Sequence, residues 1–163
     1  HHTLNVVLFC HELGEHYRLT NTDMKKLLLA AWFHDTGFCL NMEDHENASV
    51  TIVSAFLGSR NVPEDYMPSV RNLILATKRS VQPATLLEQI IYDANMQHLG
   101  SEEYFKWSAL LKEEFELKNC KELTDKDWRQ MNIRFFNSHH YFTDYAQKMW
   151  EGQKLKNLDQ IKK

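Results

Sequence analysis

Five glycines and three prolines in 163 residues leave few places where this chain can turn sharply, so most of it must run in long regular segments. Those segments read as helical. Polar–apolar alternation never extends beyond a few residues, whereas apolar side chains recur three and four apart along most of the sequence. The pattern predicts an all-α fold. A chain of this length buries roughly 70% of its unfolded surface as one domain, and no repeat, low-complexity tract or linker-like stretch divides it. A single domain over residues 1–163 is the expectation.

The helices can be placed from their punctuation. Leu4, Val7, Leu8, His11 and Leu13 mark an amphipathic helix that ends near Arg18. A second is capped by Thr20, Asn21 or Thr22 and runs through KKLLLAAWFHD, apolar nearly all round and therefore expected to be buried. Asp44 is a candidate cap for ENASVTIVSAFL, with Gly58 as its terminator. Pro63 and Pro83 read as first-turn prolines of two further helices, the first of them kinked or delayed by Pro68. Ser101 caps SEEYFKWSALLKEEFELKN, and Thr124 with Asp127 forms a capping pair before WRQMNIRFFNSH. A final helix from about Thr143 reads as a polar tail.

Composition narrows the function. Nineteen basic against twenty-two acidic side chains, a net charge of −3 and no long basic run leave no footprint for a polymeric nucleic acid, so a small ligand is expected. Cys10, Cys39 and Cys120 fit neither a disulfide framework nor a zinc knuckle, which suits a reducing cytoplasm. The longest apolar stretch, Leu27 to Phe33, is far short of a membrane span. The chain opens on His1 and His2 inside an already amphipathic pattern, so residues upstream are expected.

The chemistry lies where ionisable groups interrupt apolar sequence. His34 and Asp35 follow LLLAAWF directly, and Asp93 stands in QIIYDANM with Ile90 and Met96 one turn away on either side. A buried charge must be paired or bind a metal, because desolvating it alone costs several kcal/mol. Imidazole and carboxylate together suit a divalent ion such as Mn, Fe, Co, Ni or Zn, and an open coordination sphere admits water and substrate. Such an ion acidifies water and neutralises charge on a phosphoryl oxygen, so phosphoester hydrolysis fits.

HTLNVV, WFHDTGF and IIYDANMQHLG, in that order, resemble the H, HD and D signatures of the HD-domain phosphohydrolases. The resemblance implies a phosphodiesterase-like helical bundle, with a motif core over about residues 1–100 and extra C-terminal helices over about 101–163. It also implies one divalent metal ion, Mg included among the candidates, held by His2, His34, Asp35 and Asp93. In DHENAS it points to His45 as a contact for substrate phosphate or a second ion. Relatives that hold two metals, or that bind phosphate with further histidines, often read ATKH where this chain has ATKR; Arg79 cannot ligate a metal but can clamp phosphate, with Lys78 beside it, which favours a mononuclear site. The catalytic residues so implied are Asp35, His45 and Arg79. Some relatives carry a general-acid histidine four residues before the first motif histidine, which here falls upstream of His1. His1 itself points about 100° away from the face of His2 on a helix. In FFNSHHYFTDYA, the resemblance makes His139, Tyr141 and Thr143 candidates for the substrate pocket.

Blander readings stand beside these. His34 and Asp35 can be a hydrogen-bonded helix end, and DHENAS a plain helix start. His11, His16 and His98 are assigned no chemistry. The aromatic series Tyr104, Phe105, Trp107, Phe115, Trp128, Phe135 and Phe136 reads as core packing. The functional expectation is a metal-dependent phosphohydrolase acting on a nucleotide or other small phosphoester. The alternatives are an HD module that binds metal and nucleotide as a sensor, and a structural helical interaction domain.

Overall fold

A computed structural model describes residues 1–119 and 122–163 of the chain; Cys120 lies outside the described residues. Among them are eight α-helices and no strand: α1 (His2–His16), α2 (Asn21–Phe33), α3 (His45–Gly58), α4 (Tyr66–Leu75), α5 (Leu86–Met96), α6 (Tyr104–Asn119), α7 (Asp125–Ser138) and α8 (Asp144–Lys162). The all-α reading holds. No helix of the described residues is long and apolar enough to cross a membrane. The chain divides into two compact units, His1–Asn95 and Met96–Lys163.

In the first unit, α1 packs its Val6, Cys10, Leu13 and Gly14 side inward. This corrects the expected face in part: Leu13 is buried as expected, but Leu4 is 49% and Leu8 64% exposed, and His11 is exposed too. Gly14 lies where α1 meets Met24, a Cβ there falling 2.5 Å from Met24 Cε. Arg18 closes α1 in the left-handed region at φ 52°. Thr20 caps α2, its hydroxyl accepting from Asp23 N at 3.1 Å. α2 is not buried all round, because Trp32 is 48% exposed. Lys26, although buried, reaches Asp65 at 2.6 Å and so ties α2 to the start of α4.

Gly58 is the last residue of α3 and does not take the left-handed form of a terminator; Ser59 follows at φ −86°. Pro63 opens a turn rather than a helix. α4 starts three residues later, with Pro68 in its first turn, where the missing N–H breaks no helical bond. Pro83 likewise precedes α5, whose start is a capping box: Glu88 N donates to Thr85 Oγ1, and Thr85 N donates back to the Glu88 carboxylate at 3.1 Å.

The second unit begins at Met96, a few residues before the division expected near residue 100, because α8 holds the intervening turn. Asn157 Nδ2 donates to Leu99 O and Ser101 O, and a Cβ on Gly100 would lie 2.6 Å from Trp150 O. α8 is therefore not a polar tail; it buries Ala146, Trp150, Lys154, Asn157, Leu158 and Ile161. Ser101, Thr124 and Thr143 each cap their helices, accepting from Glu103 N, Asp127 N and Ala146 N. Of the aromatic series, Tyr104 and Phe136 form core and stack edge-to-face, whereas Phe105 and Phe115 are 43% and 36% exposed.

Candidate metal centre

The centre is built on the end of α2. After Phe33 the chain leaves the α-helix through His34 and Asp35 and enters a short 3-10 turn over Thr36–Cys39. Ser49, on α3, locks that corner: its hydroxyl donates to His34 O at 2.7 Å and accepts from Gly37 N at 2.8 Å. Only glycine fits at 37, because a Cβ there would lie 2.0 Å from His45 O and 2.5 Å from Ser49 N. The close packing brings the first turn of α3, with His45 and Glu46, against the His34–Asp35 pair.

His34 is fully buried. Its Nδ1 lies 2.8 Å from Ala31 O, and since a carbonyl can only accept, Nδ1 carries the hydrogen. In the neutral ring the lone pair is then on Nε2, a buried atom that makes no hydrogen bond. Nε2 stands 3.2 Å from Asp35 Oδ2 without hydrogen-bond alignment. His2 Nε2 lies 3.6 Å from the same oxygen, and the His2 and His34 rings meet edge-on at 5.5 Å. Ligand atoms of His2, His34 and Asp35 all fall within 4.8 Å of one another. Asp93 is fully buried on α5, with Ile90 and Met96 buried one turn to each side as expected, but it is not a member of that trio.

His45 approaches from the other side, its Nε2 at 3.6 Å from Asp35 Oδ1 and 3.4 Å from Glu46 Oε1. Its ring stacks on Phe38 at 3.8 Å and 15°. Three imidazoles thus surround one carboxylate. Burial opposes ionisation of Asp35, yet the short contact to His34 and the charges of His34, His2 and His45 hold its carboxyl below the usual range. Burial also lowers the pKa of His2; Asp35 opposes that shift, while His34 adds to it.

A buried imidazole nitrogen without a hydrogen bond, facing a carboxylate, is a place that can hold a cation, and imidazole with carboxylate is the donor set of first-row divalent ions. The Ala31 carbonyl that fixes the His34 ring is the backing a histidine ligand normally has. The residues present therefore fit a divalent metal ion.

The HD-domain family model matches residues 1–96. This chain belongs to the HD-domain family. The match spans the first compact unit, from His2 through Asp93, and it places the protein in a superfamily of metal-dependent phosphohydrolases. No curated protein and no solved structure matches the chain.

The remaining expected residues of this HD domain take varied places. Asp44 precedes α3 but its side chain does not cap it; the carboxylate instead receives Lys78 Nζ and Asn47 Nδ2. Those two bonds, that from Lys78 first, hold Asp44 below the usual carboxylate range. Lys78 is thereby linked to the residue next to His45. Arg79 is exposed just beyond α4. Its charge is felt at Tyr92, where burial raises the phenol and Arg79 partly offsets the rise. His139, Tyr141 and Thr143 are all buried in the second unit: His139 O accepts from Lys154, Tyr141 Oη donates to Met96 O, and Thr143 caps α8.

Sequence reasoning missed Asn95, whose Oδ1 is 2.9 Å from His2 Nε2, as well as Glu46, Ser49 and the Phe38 stack. Asn95 carried one usable signal, since it stands two residues beyond Asp93 in the same signature. Ser49 had none, because its role is a contact between elements.

Proposed function

We propose that this HD-domain protein hydrolyses a small phosphoester, with nucleotides the foremost candidates, using one divalent cation held by His2, His34, Asp35 and Asp93. The observation that carries the reading is the buried Nε2 of His34, which makes no hydrogen bond, stands 3.2 Å from Asp35 Oδ2, and belongs to a ring oriented by its Nδ1–H on Ala31 O. A divalent cation, when bound, supplies Lewis acidity that polarises a phosphoryl oxygen and acidifies water. The chain's own residues do the rest. Ser49 and Gly37 keep the His34–Asp35 corner in place. His45, held between Asp35 and Glu46, is positioned to hydrogen-bond a phosphoryl oxygen, and Arg79, with Lys78 near it, adds positive charge for the phosphate. In the reaction the water oxygen bonds to phosphorus, the ester P–O bond breaks, and the organic group leaves as the alcohol with a proton.

Elemental analysis of the purified chain before and after chelation, coupled to a phosphomonoesterase and phosphodiesterase screen with manganese, nickel, cobalt or magnesium, tests the proposal. About one equivalent of metal and chelator-sensitive turnover are the expected results. Bound metal with no turnover of any phosphoester would make the chain a binding module instead, and no metal at any concentration would remove the ligand assignment.

A further inference from the structure

The second unit holds a cavity of about 220 Å³ lined by residues of α6, α7 and α8. None of its lining residues falls within the stretch matched to the HD-domain family, and all belong to Met96–Lys163. Pockets for drug-sized ligands run to roughly 300–1,000 Å³, so this one suits a guest of one or two rings.

Tyr104, Phe105 and Trp128 give the cavity aromatic walls, and Ile161 adds an apolar one. The polar groups of these walls are bonded to one another. Tyr104 Oη donates to Asn132 Oδ1 and Asn132 Nδ2 to Trp128 O, both at 2.7 Å, while Trp128 Nε1 donates to Ser108 Oγ at 3.1 Å. Rings fixed by such a network favour a flat aromatic guest over one that needs hydrogen bonds from the walls. Phe105 has room for it: the ring is 43% exposed and meets Tyr104 edge-on at 5.2 Å, which leaves at least one of its faces uncovered.

Two charged residues stand on the exposed side of the cavity, Asp125 and, one turn along α7, Arg129. Lys112 Nζ bonds Asp125 at 2.7 Å and, by that bond first and by its charge second, holds the carboxylate below the usual range; Arg129 contributes last. Among the described residues Arg129 forms no hydrogen bond and no ion pair. Its planar fork of donors is therefore available to an anionic group on the guest, and a carboxylate matches that fork.

We propose that this cavity binds a small aromatic carboxylate, its ring against Phe105 and Trp128 and its carboxylate on the guanidinium of Arg129.

Equilibrium dialysis of the full chain against 2-naphthoate, 2-naphthalenemethanol and decahydro-2-naphthoate tests this, with a chelator present so that no metal can take the carboxylate. The naphthoate is expected to bind saturably, about two- to fivefold more tightly than the neutral alcohol, the range an exposed ion pair contributes. It should also outbind its saturated counterpart. Arg129→Gln should remove the preference over the alcohol. Phe105→Ala, at a half-exposed position that tolerates change, should weaken naphthoate binding by about two- to tenfold. Asp35→Ala should leave binding as it is. In heteronuclear NMR spectra the naphthoate should move the indole N–H signal of Trp128, identified by its loss in Trp128→Phe, and leave that of Trp32 in place. No saturable binding to the parent, an equally tight alcohol or saturated acid, or an unchanged preference in folded Arg129→Gln would overturn the proposal. So would binding lost with Asp35, or a shift of Trp32 with Trp128 unmoved.

Discussion

Lys154 and Asn157 in the second compact unit and His34 in the first are buried polar side chains put to different ends. In the second unit, Lys154 is 3% exposed and its ammonium is fully engaged, by His139 O at 2.8 Å and by both Glu151 oxygens at 3.0 and 3.2 Å. Asn157 is 1% exposed and gives its amide hydrogens to Leu99 O and Ser101 O. In the first unit, His34 is equally buried, but only half of its ring is committed: Nδ1–H to Ala31, with Nε2 turned to a carboxylate without a hydrogen bond. A buried polar group whose hydrogen bonds are complete holds a fold together, whereas one left incomplete beside a second ionisable group marks a place for a ligand.

The most direct way to break this comparison is Asp35→Ala. Substitutions of residues that only back metal ligands lower metal affinity or activity 10- to 100-fold, so removing this carboxylate should reduce manganese-dependent turnover by more than about 100-fold. Folding should persist, because the contacts of the Asp35 carboxylate are with the side chains of His2, His34 and His45. Full turnover by the folded variant would return His34 and Asp35 to the class of structural helix ends.

Lys154→Met should act in the opposite sense, on stability rather than on chemistry. Removing one partner from a buried ion pair destabilises by about 3–5 kcal/mol, read as a lowered urea midpoint. Glu151 retains 33% side-chain exposure, which sets the expectation at the lower end of that range. A stability loss below about 1 kcal/mol would show that the second unit does not depend on this cluster.

Ser49→Ala joins the two classes, since Ser49 is a structural hydroxyl serving the site. It leaves Gly37 N without its acceptor and His34 O without its donor, so about 1–3 kcal/mol of stability should be lost. Weaker manganese binding should accompany the loss, because the His34–Asp35 corner is no longer tied to α3. Unchanged binding in a destabilised protein would separate the corner from the site.

The smallest effect concerns thiols. Cys10 is fully buried, and burial pushes its thiol far above the usual range, whereas Cys39 is exposed. Alkylation of the native protein, located by mass spectrometry, should modify Cys39 and spare Cys10 until denaturant is added. Early modification of Cys10 would mean that the α1–α2 contact opens readily.

What the amino-acid sequence by itself determined follows from local chemistry. Thr124 with Asp127, Ser101 before Glu103, and Thr20 before Asp23 are caps that any chain of this composition would use, because the side chain satisfies a backbone N–H a few residues away. The apolar run broken by His34 and Asp35, and the inward face of Asp93, were equally readable, since desolvation makes ionisable groups in such places costly unless they serve a purpose. Tertiary structure decided what depends on approach between elements. Val6, Cys10 and Gly14, rather than Leu4 and Leu8, join Leu13 on the buried side of α1, with Gly14 against the end of Met24. α8 is a packed helix and not a tail because Lys154 and Asn157 meet carbonyls far away in sequence. Asp44 is bound by Lys78 and Asn47 instead of capping α3. Hydrogen bonds between neighbours in sequence can be read from spacing, whereas bonds and close contacts between distant segments exist only once the chain has folded.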